Sequence, residues 1–135
     1  MTKTGKLLDM AKKMAEAAAK KAVEIDVPMV IVVVDAAGNM VLYNRMEDSL
    51  LASMDIAANK AYTAVALKMS TDAAAPLAKE AGQLFGIASC DKGRMVVFGG
   101  GFPIFEDGKI IAGIGVSGGS VDEDMSVAKA GLSVL

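Results

Sequence analysis

The chain of 135 residues contains no histidine and a single cysteine. Without histidine there is no Ser–His or Cys–His dyad and no imidazole to hold a metal. Cys90 alone forms no internal disulfide, and without a CxxC partner it supports no zinc site. No sign of charge dominates: 14 basic residues face 16 acidic ones, for a formal net charge of -2. Phosphate-binding surfaces show a basic excess, so nucleic acid is not an expected partner. No apolar run is long. The longest aliphatic stretch, Val27 to Val34, falls far short of the roughly 20 residues of a membrane helix. Ile110 to Val121 lacks charge but carries four glycines and two serines. Met1 to Lys13 mixes lysines and Asp9 with apolar residues, has no continuous apolar core, and reads as no signal peptide. There is no internal repeat and no low-complexity linker. One cytoplasmic domain spanning 1–135, with no membrane partner, is the expectation.

What the chain has in quantity is apolar surface. Hydrophobic residues make up 53% of it and its mean hydropathy is +0.44, both high for a small domain. A core plus an apolar face covered by another subunit accounts for the excess, so a homo-oligomer is expected.

Residues 4 to 25 read as a helix, with Leu7, Ala11, Met14, Ala18, Ala22 and Ile25 on one face at spacings of three and four. Residues 28 to 34 form a near-continuous β-branched run, the pattern of a strand covered on both faces. Asp35-Ala36-Ala37-Gly38-Asn39 is a turn, and 40 to 46 return as the second strand of a hairpin. The period of two places Val41, Tyr43 and Arg45 on one face of it. A second helix spans about 49–69, capped by Asp48 or Ser49, with Leu50, Met54, Ala57, Ala61, Ala64 and Leu67 as its thin buried stripe. Thr71 can cap a short helix before Pro76. Residues 94–98 and 102–106 read as short strands around Gly99-Gly100-Gly101. Asp107-Gly108 is a turn into a strand from 109 to about 116. Ser120 and Glu123 have the capping-box spacing at the start of a last helix. Hairpin-linked strands with helices before, between and after predict an α+β fold, an α/β/α sandwich around a mainly antiparallel sheet.

Candidate chemistry is sparse, and each feature has two readings. Gly99, Gly100 and Gly101 offer backbone amides for an anion nest, or form a tight connection between strands. Gly113-Ile114-Gly115-Val116-Ser117-Gly118-Gly119 loosely matches a dinucleotide fingerprint but lacks its βαβ setting. Ser117 has no flanking histidine to make it a nucleophile. Arg45 ends an apolar strand and Lys60 sits among alanines, so the two are candidates for a carboxylate or phosphate. The alternative is that each pairs with Asp55, Glu47 or Asp35, or that the lysine snorkels. Asp122, Glu123 and Asp124 are consecutive; they favour the positive end of a helix rather than a metal, and no metal site is expected. The ten methionines read as core fillers.

Three blocks carry a family resemblance. They are Val33-Val34-Asp35-Ala36-Ala37-Gly38-Asn39 running on to Arg45-Met46-Glu47-Asp48, Ser53, Lys60-Ala61 and Thr63-Ala64; then Gly99-Gly100-Gly101-Phe102-Pro103-Ile104; then Ile114-Gly115-Val116-Ser117-Gly118-Gly119 with Asp124 and Ala128. In order and spacing they resemble the GlcG/HbpS family, which includes the C-terminal domain of PduO-type proteins. The resemblance covers nearly the whole chain. It implies a profilin-like fold with a five-stranded antiparallel sheet, oligomers, and haem binding of the kind found in HbpS-like and PduO C-terminal members. Relatives that bind haem through histidine lend no ligand here; Tyr43, Cys90, a methionine or a hydroxyl such as Thr63 are the substitutes on offer. The cobalamin adenosyltransferase activity of PduO proteins belongs to another domain and is not implied.

The reading is a non-catalytic small-molecule-binding domain. Its ligand is haem, a related tetrapyrrole or a small carboxylate, and its contacts are expected at Arg45, Lys60, Gly99, Gly100, Gly101 and Ser117. Two rivals stand beside it. One is an enzyme acting on a small carboxylated metabolite, with Lys60 as acid/base or Schiff-base former. The other is an accessory subunit in cobalamin-dependent diol or glycerol metabolism, or in glycolate metabolism.

Overall fold

The computed structural model describes residues 5–135; Thr4, the first residue of the predicted N-terminal helix, lies outside the described residues. The elements are α1 (Lys6–Glu24), β1 (Val30–Asp35), β2 (Met40–Arg45), α2 (Ala52–Leu67), α3 (Thr71–Ala78), β3 (Gly101–Glu106), β4 (Lys109–Ser117) and α4 (Val121–Leu132). Two 3-10 turns, Ile87–Ser89 and Asp91–Gly93, lie between α3 and β3.

The fold is α+β, with one antiparallel sheet in the order β2-β1-β4-β3. It has four strands among the described residues, not the five implied by the resemblance. The segment read as a strand at 94–98 does not pair. The backbone amide of Val96 donates to Thr63 Oγ1 at 3.0 Å, and Thr63 Oγ1 donates to the Arg94 carbonyl at 3.2 Å. A buried hydroxyl on α2 thus takes the backbone groups that a neighbouring strand would otherwise satisfy.

β1 explains its unbroken apolar run. Ile31 and Val33 face α1 and α4, while Val30, Val32 and Val34 face α2. The first face is thick with large side chains: Met14, Met29, Ile31, Ile114, Val116 and Val127 are fully buried there. Each such burial contributes roughly 1.5–3 kcal/mol, so most of the hydrophobic stabilisation lies on the α1–α4 side. The α2 side is thin, built from Ala57 and Ala61 over the sheet. A Cβ at Gly115 would lie 2.1 Å from the Ala57 carbonyl oxygen, so helix backbone and strand backbone are almost in contact there.

Two local expectations change. The register shifts between Val33 and Val34, opposite Leu42 and Met40. This bulge turns Val41 to the α1 face together with Leu42, while Tyr43 packs on the α2 face. Val41 therefore does not share a face with Tyr43. The second helix also starts later than predicted, because its N-cap is Leu51 and no side chain caps it. Asp48 takes a positive φ of 65°, Ser49 Oγ is buried without a partner, and Leu50 and Met54 lie exposed. The α4 capping box forms as predicted, with Ser120 and Glu123 exchanging bonds at 2.8 and 3.2 Å.

Candidate functional site

Lys60 is the polar centre of the molecule. It lies on the sheet-facing side of α2 and is fully buried. Its Nζ donates to Asp124 Oδ2 at 2.8 Å and to the Val116 carbonyl at 2.9 Å, and it sits 5.0 Å from the centroid of the Phe98 ring. Asp124 is 3% exposed, and its other oxygen accepts from the Gly119 amide at 2.8 Å. Burial lowers the Lys60 pKa, against the hydrogen bond and charge of Asp124. Burial likewise raises the Asp124 pKa, against Lys60 and the amides of Gly119 and Gly118. The ion pair links α2 to α4 past the end of β4.

Lys60 is thus ion-paired, as the alternative reading allows, but with Asp124 and not with Asp55, Glu47 or Asp35. Asp35 instead accepts from the amides of Ala37 and Asn39 in the hairpin turn, and Asp55 accepts from Asn59. A signal for Asp124 was present in the sequence: with Val127, Ala128 and Gly131 it follows the helical spacing of a buried face. The three consecutive acids also satisfy a simpler rule, that of the helix dipole, which masks this spacing.

The glycine run is explained by close approach. A Cβ would lie 2.5 Å from Met125 Sδ at Gly99, 2.6 Å from Lys60 Nζ at Gly100, and 2.5 Å from the Lys60 carbonyl at Gly101. The Gly101 amide is taken by Thr71 Oγ1 at 2.9 Å. A nest of amides does exist, at Gly118 and Gly119, and the chain's own Asp124 carboxylate fills it. Ser117 is buried and donates to Ser53 Oγ at 3.0 Å.

Lys60, Gly100, Gly101 and Ser117 therefore gather around the end of β4, with Gly99 against α4. Arg45 does not join them. It is exposed on the outer strand β2, opposite Val30 of β1, so β1 lies between it and Lys60. Two of the three Lys60 N–H donors are held by an aspartate and a carbonyl, beside the Phe98 ring. Arg45 has no ion-pair partner among the described residues.

The substitutes for histidine are also placed. Thr63 is fully buried and bonded on both sides. Tyr43 is partly buried, and burial holds its phenol above the ordinary value, against the charge of Arg45. A neutral phenol is a poor iron ligand. Cys90 is free and exposed between the two 3-10 turns. Next to it the Tyr62 hydroxyl donates to Asp91, and Arg94 donates to Asp91 at 2.6 Å while stacking on the Tyr62 ring. Among the described residues no group of three or more carboxylates and cysteines is placed to hold a metal ion, and no helix is long and apolar enough to cross a membrane.

The model of the HbpS-like family, described as haem degrading protein HbpS-like, matches residues 7–133. An uncharacterized 15.0 kDa protein of the dhaT-dhaS intergenic region of Citrobacter freundii is 44% identical over 93% of this chain and 88% of its own length. The corrinoid adenosyltransferase PduO of Salmonella typhimurium is 38% identical over 91% of this chain. The chain spans only 37% of that protein's length. Among solved structures, a PduOC:heme complex superposes with a TM-score of 0.92 at 37% identity, covering 94% of this chain and 92% of the other.

Proposed function

This chain belongs to the HbpS-like family, and we propose that it is a non-catalytic haem-binding domain that works as a homo-oligomer. The observation that carries the reading is the likeness to the PduOC:heme complex, which extends over 94% of the chain at a TM-score of 0.92. Two features of the chain support it. Leu51 and Phe85 are 82% and 69% exposed, apolar surface of the kind that a tetrapyrrole or a second copy covers. The buried lysine, in turn, is ion-paired to its own Asp124 and has no exposed surface, which speaks for binding over Schiff-base catalysis. Arg45 is the member of the predicted contact set still open to a carboxylate. Bound haem would supply iron redox chemistry; this chain would supply exposed apolar surface and the Arg45 cation.

The test is a haemin titration followed by absorbance, with light scattering on the same samples. A saturable Soret shift near one haem per subunit, on a species larger than a monomer, is expected. A family model named for haem degradation gives a second reading. Loss of the Soret band from the complex under a mild reductant and oxygen, absent from free haemin, would favour that enzyme over a binder. If haemin gives no saturable shift while a small carboxylate protects wild type and not Arg45→Ala, the ligand is the carboxylate.

A further inference from the structure

The segment from Asn44 to Asp55, which joins β2 to α2, is exposed along almost its whole length. Only Met46, Ser49 and Ser53 are not. Leu50 and Leu51, adjacent in sequence, are 61% and 82% exposed, and Met54 follows at 37%. The backbone fixes this presentation. The amide of Ser49 donates to the Met46 carbonyl, that of Ser53 to Leu50 and that of Met54 to Leu51, at 3.3, 3.0 and 3.2 Å. β2 is the outer strand of its side of the sheet and contains no proline, so its free edge continues the same surface. An edge of that kind invites cover.

Both signs of charge flank the leucines. Arg45 precedes them, Glu47 and Asp48 lie between, and none of the three has an ion-pair partner among the described residues. Tyr43, packed on the α2 face, lies within electrostatic reach of both Arg45 and Asp55, so Arg45 stands beside the first turns of α2. A patch with apolar side chains, a free cation and free anions is complementary to itself: under a two-fold axis apolar meets apolar and each cation meets an acid. The other apolar concavity, which holds Met10, Ile104, Phe105 and Leu135, carries Glu106 and no base, so a two-fold there would set acid against acid.

We propose that the 44–55 segment is a two-fold interface between two copies of this chain. Leu50, Leu51 and Met54 pack across the axis, and Arg45 of each copy pairs with Glu47 or Asp48 of the other. The inference rests on the homo-oligomer part of the reading above and names the surface for it. The arginine fork has five N–H donors, so a carboxylate from the second copy leaves others for a ligand.

The experiment reads molar mass by light scattering on the full chain, with circular dichroism to check that each variant folds. Wild type is expected as a dimer or a multiple of one. Leu51→Asp is expected at half that mass or less, because it places a charge where leucines meet. Arg45→Glu sets acid against acid, Glu47→Lys/Asp48→Lys sets base against base, and each weakens association by about tenfold or more. Mixing these two charge variants restores the wild-type mass, since every contact of the mixed pair again joins opposite signs. A local structural role for these residues does not produce that rescue. Phe85→Ser, at an exposed apolar residue outside the segment, leaves the mass unchanged. A wild-type oligomer whose mass survives Leu51→Asp and both charge variants overturns this surface while the homo-oligomer stands. A wild type that is a monomer at every concentration removes the homo-oligomer reading, and this inference with it.

Discussion

Lys60 and Arg94 each hold an aspartate, at 2.8 and 2.6 Å, yet the two pairs lie at opposite ends of the range of burial. Lys60 and Asp124 have 0% and 4% of their side chains exposed, Arg94 and Asp91 45% and 27%. The shorter pair is the less consequential one. In water the attraction is screened and the ions are already well solvated. In the interior each ion has given up its water, so the pair is valuable chiefly because losing one member strands the other. The glycines follow the same division. Those at 99–101 admit Met125, Lys60 and the α2 backbone, whereas Gly93 beside Arg94 has nothing within 4 Å of its would-be Cβ.

The sharpest way to break this comparison is to remove one ion. Lys60→Met leaves Asp124 buried and unpaired, and urea denaturation is expected to show a loss of about 3–5 kcal/mol. Adding Asp124→Asn restores most of it, because the amide oxygen still accepts from Gly119 while no charge remains. A loss below about 1 kcal/mol in the single variant would mean that water already reaches the pair.

The next effect comes from the thin interface above the pair. Gly115→Ala puts a methyl 2.1 Å from the Ala57 carbonyl, and α2 has to lift from β4. Overpacking of this kind costs about 1–3 kcal/mol, and lifting α2 also lengthens the Lys60 contacts. A thermal midpoint equal to wild type would show that the helix slides without strain. Coupling between Gly115→Ala and Lys60→Met in a double-mutant cycle sharpens the point, since both act on one helix.

Much of the fold was legible because its signals are local. The run at 28–34, the Asp35–Asn39 turn, the alanine stripe of α1 and the Ser120–Glu123 box each depend on neighbours in sequence. The strand expected at 94–98 does not form because Thr63, more than thirty residues away, captures Val96. The site was legible only in parts. Lys60 stood out as a cation among alanines, but its partner is 64 residues on, and no spacing rule joins them. Arg45 was grouped with Lys60 on chemistry alone, and the strand order β2-β1-β4 separates them.

A smaller effect is a pH profile set by the buried pair. The Lys60 amine is held below its ordinary value by burial. Between that lowered value and the ordinary ~10.4 the unfolded chain binds more protons than the folded one, so stability rises with pH. The Asp124 carboxyl is held above its ordinary value by burial. From ~3.9 up to that raised value the folded chain binds more protons, so stability falls as pH rises. The pair therefore contributes least in the middle of the range and more toward either end. Unfolding free energies across pH should show both limbs in wild type and a flatter curve in Lys60→Met/Asp124→Asn. Identical curves would assign the pH dependence to other groups.

The smallest expected effect belongs to the exposed pair. Hydrogen bonds from Tyr62 and Arg94 hold Asp91 below its ordinary value, so its contribution is present at neutral pH and is lost as pH falls through that lowered value. Exposure makes this contribution slight. Arg94→Ala is expected to leave the urea midpoint within the scatter of surface substitutions, and to appear only as faster amide exchange in the 3-10 turns that Asp91, Tyr62 and Arg94 tie to α2. The exchange readout matters because loosening is local, and a global midpoint does not register a segment that opens on its own. A midpoint shift rivalling that of Lys60→Met would invert the comparison. Burial would then not be what separates the two pairs, and the 91–94 segment would belong to the cooperative core.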